Sequence, residues 1–339
     1  MARRSTIADL AQTSGVSIST IDRILNGRHP VRKATGDKVL AAAEVIGFYA
    51  TPALRERLGV GRPVTRLGFL LQQSNRPYYQ MLAAWLSDAA VTVGPGVQLV
   101  VEHMNDLAPE AVAARMVEMG NRVDAIAAIS AEHPRITQAI EALAARQIPV
   151  FGLISGLTAA CGTGYVGLDN WKVGRTAGWA IARLCKVPGR VGILVGHHRY
   201  RCQEMNETGF RSYFREHSPD FTLLEPISTF EDRRVTRDVT EDLLAREPDL
   251  VGLYLSGGGI TGAMEAIAAS GRAGKLVVVG HEMMDPTRTG LIDGILTIVI
   301  AHPTARLIHE AIEAMRDAVS GQPPGQRLIG FDIYTAENI

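Results

Sequence analysis

The sequence is short of cysteine, has no long apolar run and carries no net charge. Its three cysteines, Cys161, Cys185 and Cys202, are odd in number and show no C-x-x-C spacing. That argues against a disulfide framework and for free thiols in a reducing compartment. No uncharged apolar stretch reaches the ~18 residues a membrane helix needs. The opening MARRSTIADLAQTSGV has two arginines but no apolar segment behind them, so no secretory leader is expected and a cytoplasmic location is. Catalytic signatures are missing as well. No serine stands in a G-x-S-x-G elbow, and no kinase or Walker sequence occurs. His281-Glu282 begins a metalloprotease motif but lacks its second histidine. Neither an enzymatic activity nor a metal nor a cofactor is therefore expected.

What is present is ordinary globular material, 339 residues with 46% apolar and 21% charged side chains. That length suits a small module joined to a larger one. The zero net charge conceals an asymmetry. Residues 1–62 hold 10 Lys and Arg against 5 Asp and Glu, whereas the remainder holds 25 against 30. A basic head on an acidic body points to a polyanion as the head's partner.

The head reads as three helices. Thr6, with Asp9 three residues on, is placed to cap the first, whose apolar positions are Ile7, Leu10 and Ala11. Gly15 ends it, Ser17 caps a second with Ile21, Ile24 and Leu25 inward, and Val39, Leu40, Ala43 and Ile46 mark a third that closes at Gly47. Two short helices across a glycine turn, with a third to complete the core, make a helix-turn-helix. Its second helix enters the major groove, with N-terminal residues towards base edges. Ser19, Thr20 and Arg23 fall on that helix's polar face. Arginine can pair bidentately with guanine, and hydroxyls can contact any base. The same spacing also suits a plain three-helix bundle with a solvated face.

The run TIADLAQTSGVSISTIDRILNGRHPVRKATGDKVLAAAEVIGF goes further: it closely resembles the DNA-binding domain of the lac-repressor family. The pieces that match are I-A-D-L-A, G-V-S, S-T-I-x-R-I-L-N-G, V-R-x-x-T and the closing I-G-F. The resemblance implies that Thr6, Ser17, Ile18, Ser19, Thr20, Arg23, Asn26, Arg32 and Thr35 lie against double-stranded DNA. Asp22 departs from the family, which has a neutral residue there. A carboxylate there is repelled by the phosphates unless it accepts from a cytosine amino group or pairs with Arg23 or Arg28.

Residues 49–64 read as a hinge. Pro52 and Pro63 bracket a possible short helix loosened by Gly59 and Gly61, and such a segment is not expected to stay helical without a partner. In the family a hinge leucine wedges into the minor groove, and Leu58 matches it if one residue is inserted. Glu56 and that offset weaken the match, and a plain linker is the alternative.

From residue 65 short apolar runs (TRLGFLLQ, VQLVVEHM, VDAIAAIS, IPVFGLIS, RVGILVG, LVGLYLS, KLVVVGH) alternate with amphipathic helices. This is the pattern of parallel sheets covered on both faces. The expected fold is thus a small all-α helix-turn-helix domain (1–48), a hinge (49–64) and an α/β body (65–339) of two lobes with doubly wound parallel sheets. The body resembles the type I periplasmic sugar-binding fold, the effector domain of lac-repressor relatives. In open α/β sheets ligands sit at the carboxyl ends of strands, here Ser74–Tyr79, Ile154–Ser155, His197–Arg201, Ser256–Gly259 and His281–Asp285. The resemblance implies Tyr78 and Tyr79 as a sugar-stacking pair, with Asn206, Ser256 and Glu282 as polar contacts. The family's Asp-Arg is replaced by Ile154-Ser155, and its glutamine by Ala301 beside His302. These losses argue against an ordinary pentose bound in the usual way and leave the effector class open within small polar metabolites, sugars and polyols among them. The resemblance implies a regulator, by the family's commonest role a repressor, binding a near-palindromic operator as a homodimer.

Two rivals come from other classes. Gly257, Gly259 and Gly262 have G-x-G-x-x-G spacing after a strand, and Glu282 follows 20 residues later, the form of a dinucleotide fingerprint. That would suit an NAD(H)-responsive redox regulator or a dehydrogenase-like enzyme. The body alone would also suit a secreted binding protein, which the missing leader and the attached head argue against. Trp85, Trp171 and Trp179 fall on helices and are expected in the core or an interface.

Overall fold

The computed structural model describes residues 5–27, 31–58, 64–94 and 96–339. They fall into two compact units, one of Met1–Arg66 with Ala90–Gln98 and one of Leu67–Ala89 with Leu99–Ile339.

The head is built from α1 (Ile7–Ser14), α2 (Ile18–Asn26), α3 (Lys33–Val45) and α4 (Thr51–Leu58). The Thr6–Asp9 capping box forms, and Gly15, with φ of 66°, turns the chain towards α2. Ser17 accepts from the Thr20 amide to start α2. Leu10, Ile21, Ile24, Val39, Leu40, Ala43 and Phe48 make the core. The fourth helix corrects the expectation for the hinge. α4 forms in the single chain, with Pro52 inside its first turn, where a missing N–H costs nothing. Its stability comes from the head: Leu54 is completely buried, and Leu58 packs beside the same core.

The body runs β1 (Thr65–Leu71), α5 (Pro77–Thr92), β2 (Val97–His103), α6 (Pro109–Met119), β3 (Ala125–Ala128), α7 (Pro134–Ala144), β4 (Val150–Leu153), β5 (Gly164–Leu168), α8 (Asn170–Leu184), β6 (Arg190–Val195), α9 (Arg201–His217), β7 (Thr222–Leu223), β8 (Ile227–Ser228), α10 (Arg233–Arg246), β9 (Leu250–Leu255), α11 (Ile260–Ala269), β10 (Val277–His281), α12 (Asp285–Ile292), β11 (Ile298–Ala301), α13 (Thr304–Val319), β12 (Gln326–Ile329) and β13 (Asp332–Tyr334). One sheet has the order β12-β5-β4-β3-β1-β2 and the other β13-β11-β10-β9-β6-β7, with β8 also on β6. The inner strands β3, β4 and β11 are short and wholly apolar, as a sheet covered on both faces requires. The chain changes sheet three times: after β5, after β11 and after β12. Each sheet is therefore the centre of one lobe, and the carboxyl ends of their strands meet at the cleft.

Leu67, Phe69 and Phe151 fill the first lobe, and Leu253, Val278 and Val299 the second. The tryptophans are not core: Trp85, Trp171 and Trp179 are 44%, 37% and 47% exposed. Among the described residues no helix is long and apolar enough to cross a membrane. None of the three cysteines is in a disulfide.

Candidate nucleic-acid interface and effector cleft

The polar face of α2 is organised before any DNA arrives. Ser17 Oγ lies 3.1 Å from Ser19 Oγ and 2.9 Å from Thr20 Oγ1. Arg23 is exposed, and its Nη2 donates to Thr20 Oγ1 at 3.1 Å. This bond draws the guanidinium back towards the N-terminal turn, the end of a recognition helix that reaches bases. Ile18, in that turn, is 55% exposed. A large apolar side chain beside hydroxyls suits contact with a thymine methyl. Asp22 does not pair with Arg23. Its carboxylate accepts from Asn26 Nδ2 at 2.9 Å, so the charge meets an amide on its own helix. Arg28, the other partner considered, lies outside the described residues. Arg32 is exposed at the start of α3, and Thr35 is half-buried one turn on.

Leu58, the expected wedge, is turned inward here. A Cβ added to Gly36 would come within 2.8 Å of Leu58 Cδ2, so the leucine lies directly on the glycine of α3. To enter a minor groove it would have to leave this seat.

In the cleft the lobes already touch. Arg76 pairs with Glu231 across it at 2.7 Å. Tyr79 Oη donates to Gln72 Oε1 at 3.0 Å, and Gln72 Nε2 donates to Tyr200 Oη at 2.6 Å. The Cys202 amide donates to Ser155 Oγ at 3.4 Å. Ile154 and Glu282 both hold left-handed backbone, with φ of 66° and 65°. Such strain in a non-glycine residue is kept only where the surroundings fix it, commonly at ligand clamps.

Three buried polar atoms of the cleft lack a well-directed hydrogen bond among the described residues: Tyr78 Oη, His302 Nε2 and Ser256 Oγ, the last standing close to the Tyr254 hydroxyl. Tyr78 comes from the first lobe. Ser256, Glu282 and His302 follow the ends of the adjacent strands β9, β10 and β11. Burial raises the Tyr78 phenol well above its usual pKa, and the Glu282 carboxylate adds to the shift. Burial likewise pushes the Cys202 thiol up to about 12, which keeps it protonated and unreactive.

The five expected contacts thus divide. Tyr78 and Ser256 present unsatisfied hydroxyls, and Glu282 is engaged with His302. Tyr79 is committed to the Gln72–Tyr200 chain. Asn206 is 5% exposed between α8 and α9, and its amide nitrogen, in the orientation that satisfies its neighbours, reaches the Asn170 carbonyl at 3.0 Å. Those two side chains already have protein partners. Gln72 and Glu231 escaped the sequence reading, and Arg76, Tyr200 and His302 entered it by position alone, because each is defined by a partner distant in the chain.

The dinucleotide fingerprint dissolves into packing. Cβ atoms on Gly257, Gly259 and Gly262 would stand 2.4 Å from the Gly196 amide nitrogen, 2.1 Å from Thr236 Oγ1 and 2.0 Å from the Arg233 carbonyl oxygen. The glycines let β9 and α11 approach β6 and α10, and the space a pyrophosphate would need holds protein. Among the described residues there is also no cluster of three metal-binding side chains.

His281 supports a prediction about pH. Its Nε2 lies 2.9 Å from Tyr254 Oη, and burial lowers its pKa to about 4. The ring is neutral in the fold, whereas in the unfolded chain it gains a proton below its ordinary ~6.5. Stability is therefore complete above that value. It should fall by up to about 1.4 kcal/mol per pH unit as pH drops from ~6.5 towards about 4. Thermal midpoints across this range should decline for the native protein and less steeply for His281→Gln; parallel declines would remove His281 as the cause.

Comparison with known proteins agrees with both halves. Residues 6–50 match the model of bacterial regulatory proteins of the lacI family, and residues 68–323 that of the periplasmic binding protein domain. The maltose regulon regulatory protein MalI of Escherichia coli (strain K12) is 33% identical over 99 residues, 29% of this chain and 28% of MalI. The HTH-type transcriptional regulator MalR of Streptomyces coelicolor is 26% identical over 207 residues, 60% of this chain and 57% of MalR. The matches therefore span only about a quarter and somewhat over half of these relatives. Among solved structures, a periplasmic solute-binding protein of an ABC transporter from Actinobacillus succinogenes 130z, with bound D-allose, superposes with a TM-score of 0.71 at 21% identity. The match covers 80% of this chain and 98% of that one, and it shows the fold of the body. The chain belongs to the periplasmic binding protein domain family through its body, and its head carries a helix-turn-helix domain of the bacterial regulatory lacI type.

Proposed function

We propose that this chain is a sequence-specific, DNA-binding transcription regulator of the cytoplasm. It reads near-palindromic duplex as a homodimer through α2, and a small polar metabolite such as a sugar or polyol, held between the lobes, sets its affinity for that duplex. The observation that carries the reading is the pairing, in one chain, of an exposed Ser-Thr-Arg helix face with a cleft holding buried, unpartnered polar atoms. Buried polar groups lacking a partner cost about 1–3 kcal/mol each, so the cleft is arranged for a ligand that satisfies them. The maltose in MalI's name and the D-allose in the Actinobacillus protein support sugars as the class. The bases would be read by Ser17, Ser19, Thr20 and Arg23, with Thr6, Ile18, Asn26, Arg32 and Thr35 placing the head on the duplex.

Selection from random duplex DNA tests the reading. The full chain should enrich one sequence with two-fold symmetry. On that sequence Arg23→Ala should lose about 1–3 kcal/mol of specific affinity and relax discrimination at one position of each half-site. Failure to enrich any sequence would sink the reading. An equal loss on scrambled DNA would reduce Arg23 to a phosphate contact.

A further inference from the structure

We propose that His302, rather than Glu282, is the side chain that reads the effector, that Glu282 positions it, and that the site is thereby selective for an uncharged hydroxyl-bearing ligand over phosphorylated or carboxylated ones. The proposal rests on the cleft being the effector site.

The argument starts from the short contact between His302 Nδ1 and Glu282 Oε1, 2.6 Å apart. A carboxylate oxygen only accepts, so the proton lies on Nδ1. Glu282 is further fixed by the His302 amide, which donates to Oε2 at 3.3 Å, and by its own amide, which donates to the Ile300 carbonyl at 3.0 Å. Both oxygens of Glu282 are therefore in use, and its left-handed backbone sets the side chain against the neighbouring strand. A ring carrying its single proton on Nδ1 presents Nε2 as an acceptor. That atom is buried, has no partner among the described residues and belongs to a side chain only 5% exposed. A carboxylate on the far nitrogen fixes both the tautomer and the ring plane, the arrangement that orients a histidine towards a ligand.

His302 also stands where a reader should. It follows β11 directly and precedes α13, so it lies on one of the three crossovers between lobes. Ser256 and Glu282 follow the adjacent strands, and Tyr78 supplies the remaining unpartnered hydroxyl from the first lobe. A ligand hydroxyl can donate to Nε2 while exchanging bonds with Tyr78 and Ser256, since both hydroxyls donate and accept. A fully ionised phosphate or carboxylate group in the place of that hydroxyl has no proton to donate to Nε2 and would approach the Glu282 charge in a low-dielectric site. Two arginines near the cleft are committed elsewhere: Arg76 to Glu231, and Arg201 to Thr158, with Glu132 close by.

The tautomer can be read without any ligand. Nitrogen NMR of the histidine-labelled full chain in mildly alkaline buffer should show one ring protonated at Nδ1 and bare at Nε2, assigned to His302 by its absence in His302→Gln. In Glu282→Gln that pattern should change. A His302 ring protonated at Nε2 overturns the proposal and leaves the proposed function standing. The second arm is a thermal-shift panel of D-allose, D-fucose, D-tagatose and D-arabinose against glucose 6-phosphate, ribose 5-phosphate and gluconate. At least one neutral sugar should stabilise the native chain and no anion should. Affinity for that sugar should drop by about tenfold or more in His302→Gln, the loss of one hydrogen bond to a buried group. Stabilisation by an anion overturns the ligand class, and unchanged affinity in His302→Gln overturns the role of His302. No shift with any compound overturns the sugar-cleft reading of the proposed function itself.

Discussion

Leu54→Ala is expected to unfold the head and abolish operator binding while the body remains intact. Leu54 is fully buried and packs with Leu10, Ile21, Ile24, Val39 and Phe48 beneath α4. Truncating a buried leucine costs about 2–5 kcal/mol, the transfer free energy plus that of the cavity left behind. A head of some sixty residues has only about 3–9 kcal/mol of stability in all. One substitution therefore removes most of it. All three tryptophans, Trp85, Trp171 and Trp179, lie in the body, so tryptophan fluorescence follows the body alone. Its unfolding midpoint should be unchanged, while helical circular dichroism falls at a lower temperature and affinity for the selected duplex is lost. A variant that keeps native affinity would show that α4 is no part of the head's core. Leu58→Ala, which removes a partly buried contact on Gly36, should destabilise the head less.

Gly174→Ala should do the converse, destabilising the second lobe with little effect on the head. α8 and α9 are packed backbone to backbone. A Cβ on Gly174 would stand 1.9 Å from the Asn206 carbonyl oxygen, and one on Gly209 2.1 Å from the Trp171 carbonyl oxygen. Neither neighbour is a flexible side-chain end that could swing away, so the helices must separate. Overpacking of this kind costs typically about 1–3 kcal/mol, occasionally more. For a body of this size each kcal/mol is worth about 2–4 °C of midpoint. The tryptophan-detected transition should fall accordingly, and sugar affinity should weaken as Asn206 shifts off the Asn170 carbonyl. An unchanged midpoint would mean the helices have slack that this packing does not show. Affinity of Gly174→Ala for the selected duplex, measured well below the transition, should stay near native.

Much of this was legible in the sequence because it depends on neighbours in the chain. The caps at Thr6 and Ser17, the glycine turn at Gly15 and the apolar spacing of Leu10, Ile21 and Val39 are local signals, and the helices begin and end where they point. The seven apolar runs of the body likewise became strands. The strands β7, β8, β12 and β13, of two to four residues, are too short to show a periodicity. α4 was misjudged because its partner, the surface around Gly36, lies more than twenty residues upstream. The prolines and glycines of residues 49–64 suggested that no helix would hold there alone.

The site was half legible for the same reason. Position at a strand end could be read for Tyr78, Ser256 and Glu282, since strands announce themselves. Whether a polar group is left unsatisfied depends on what tertiary structure places against it. Tyr79 and Asn206 found partners in the protein, whereas the His302 ring was fixed by a carboxylate 20 residues away. The three glycines after β9 carry the converse lesson. Their spacing matches a phosphate cradle, yet their surroundings make it a helix-packing seam.

The central claim is that a ligand in the cleft controls the affinity of the head for DNA. An effector acts only through its differential affinity for two states, and the coupling is typically about 1–3 kcal/mol. The most direct measurement is the dissociation constant of the full chain for its selected duplex, at fixed salt, with and without the neutral sugar that most raises the body's unfolding midpoint. The account predicts a change of about 5–150-fold with that sugar, absent in His302→Gln. A duplex affinity that is the same with and without a sugar demonstrably bound in the cleft would contradict it.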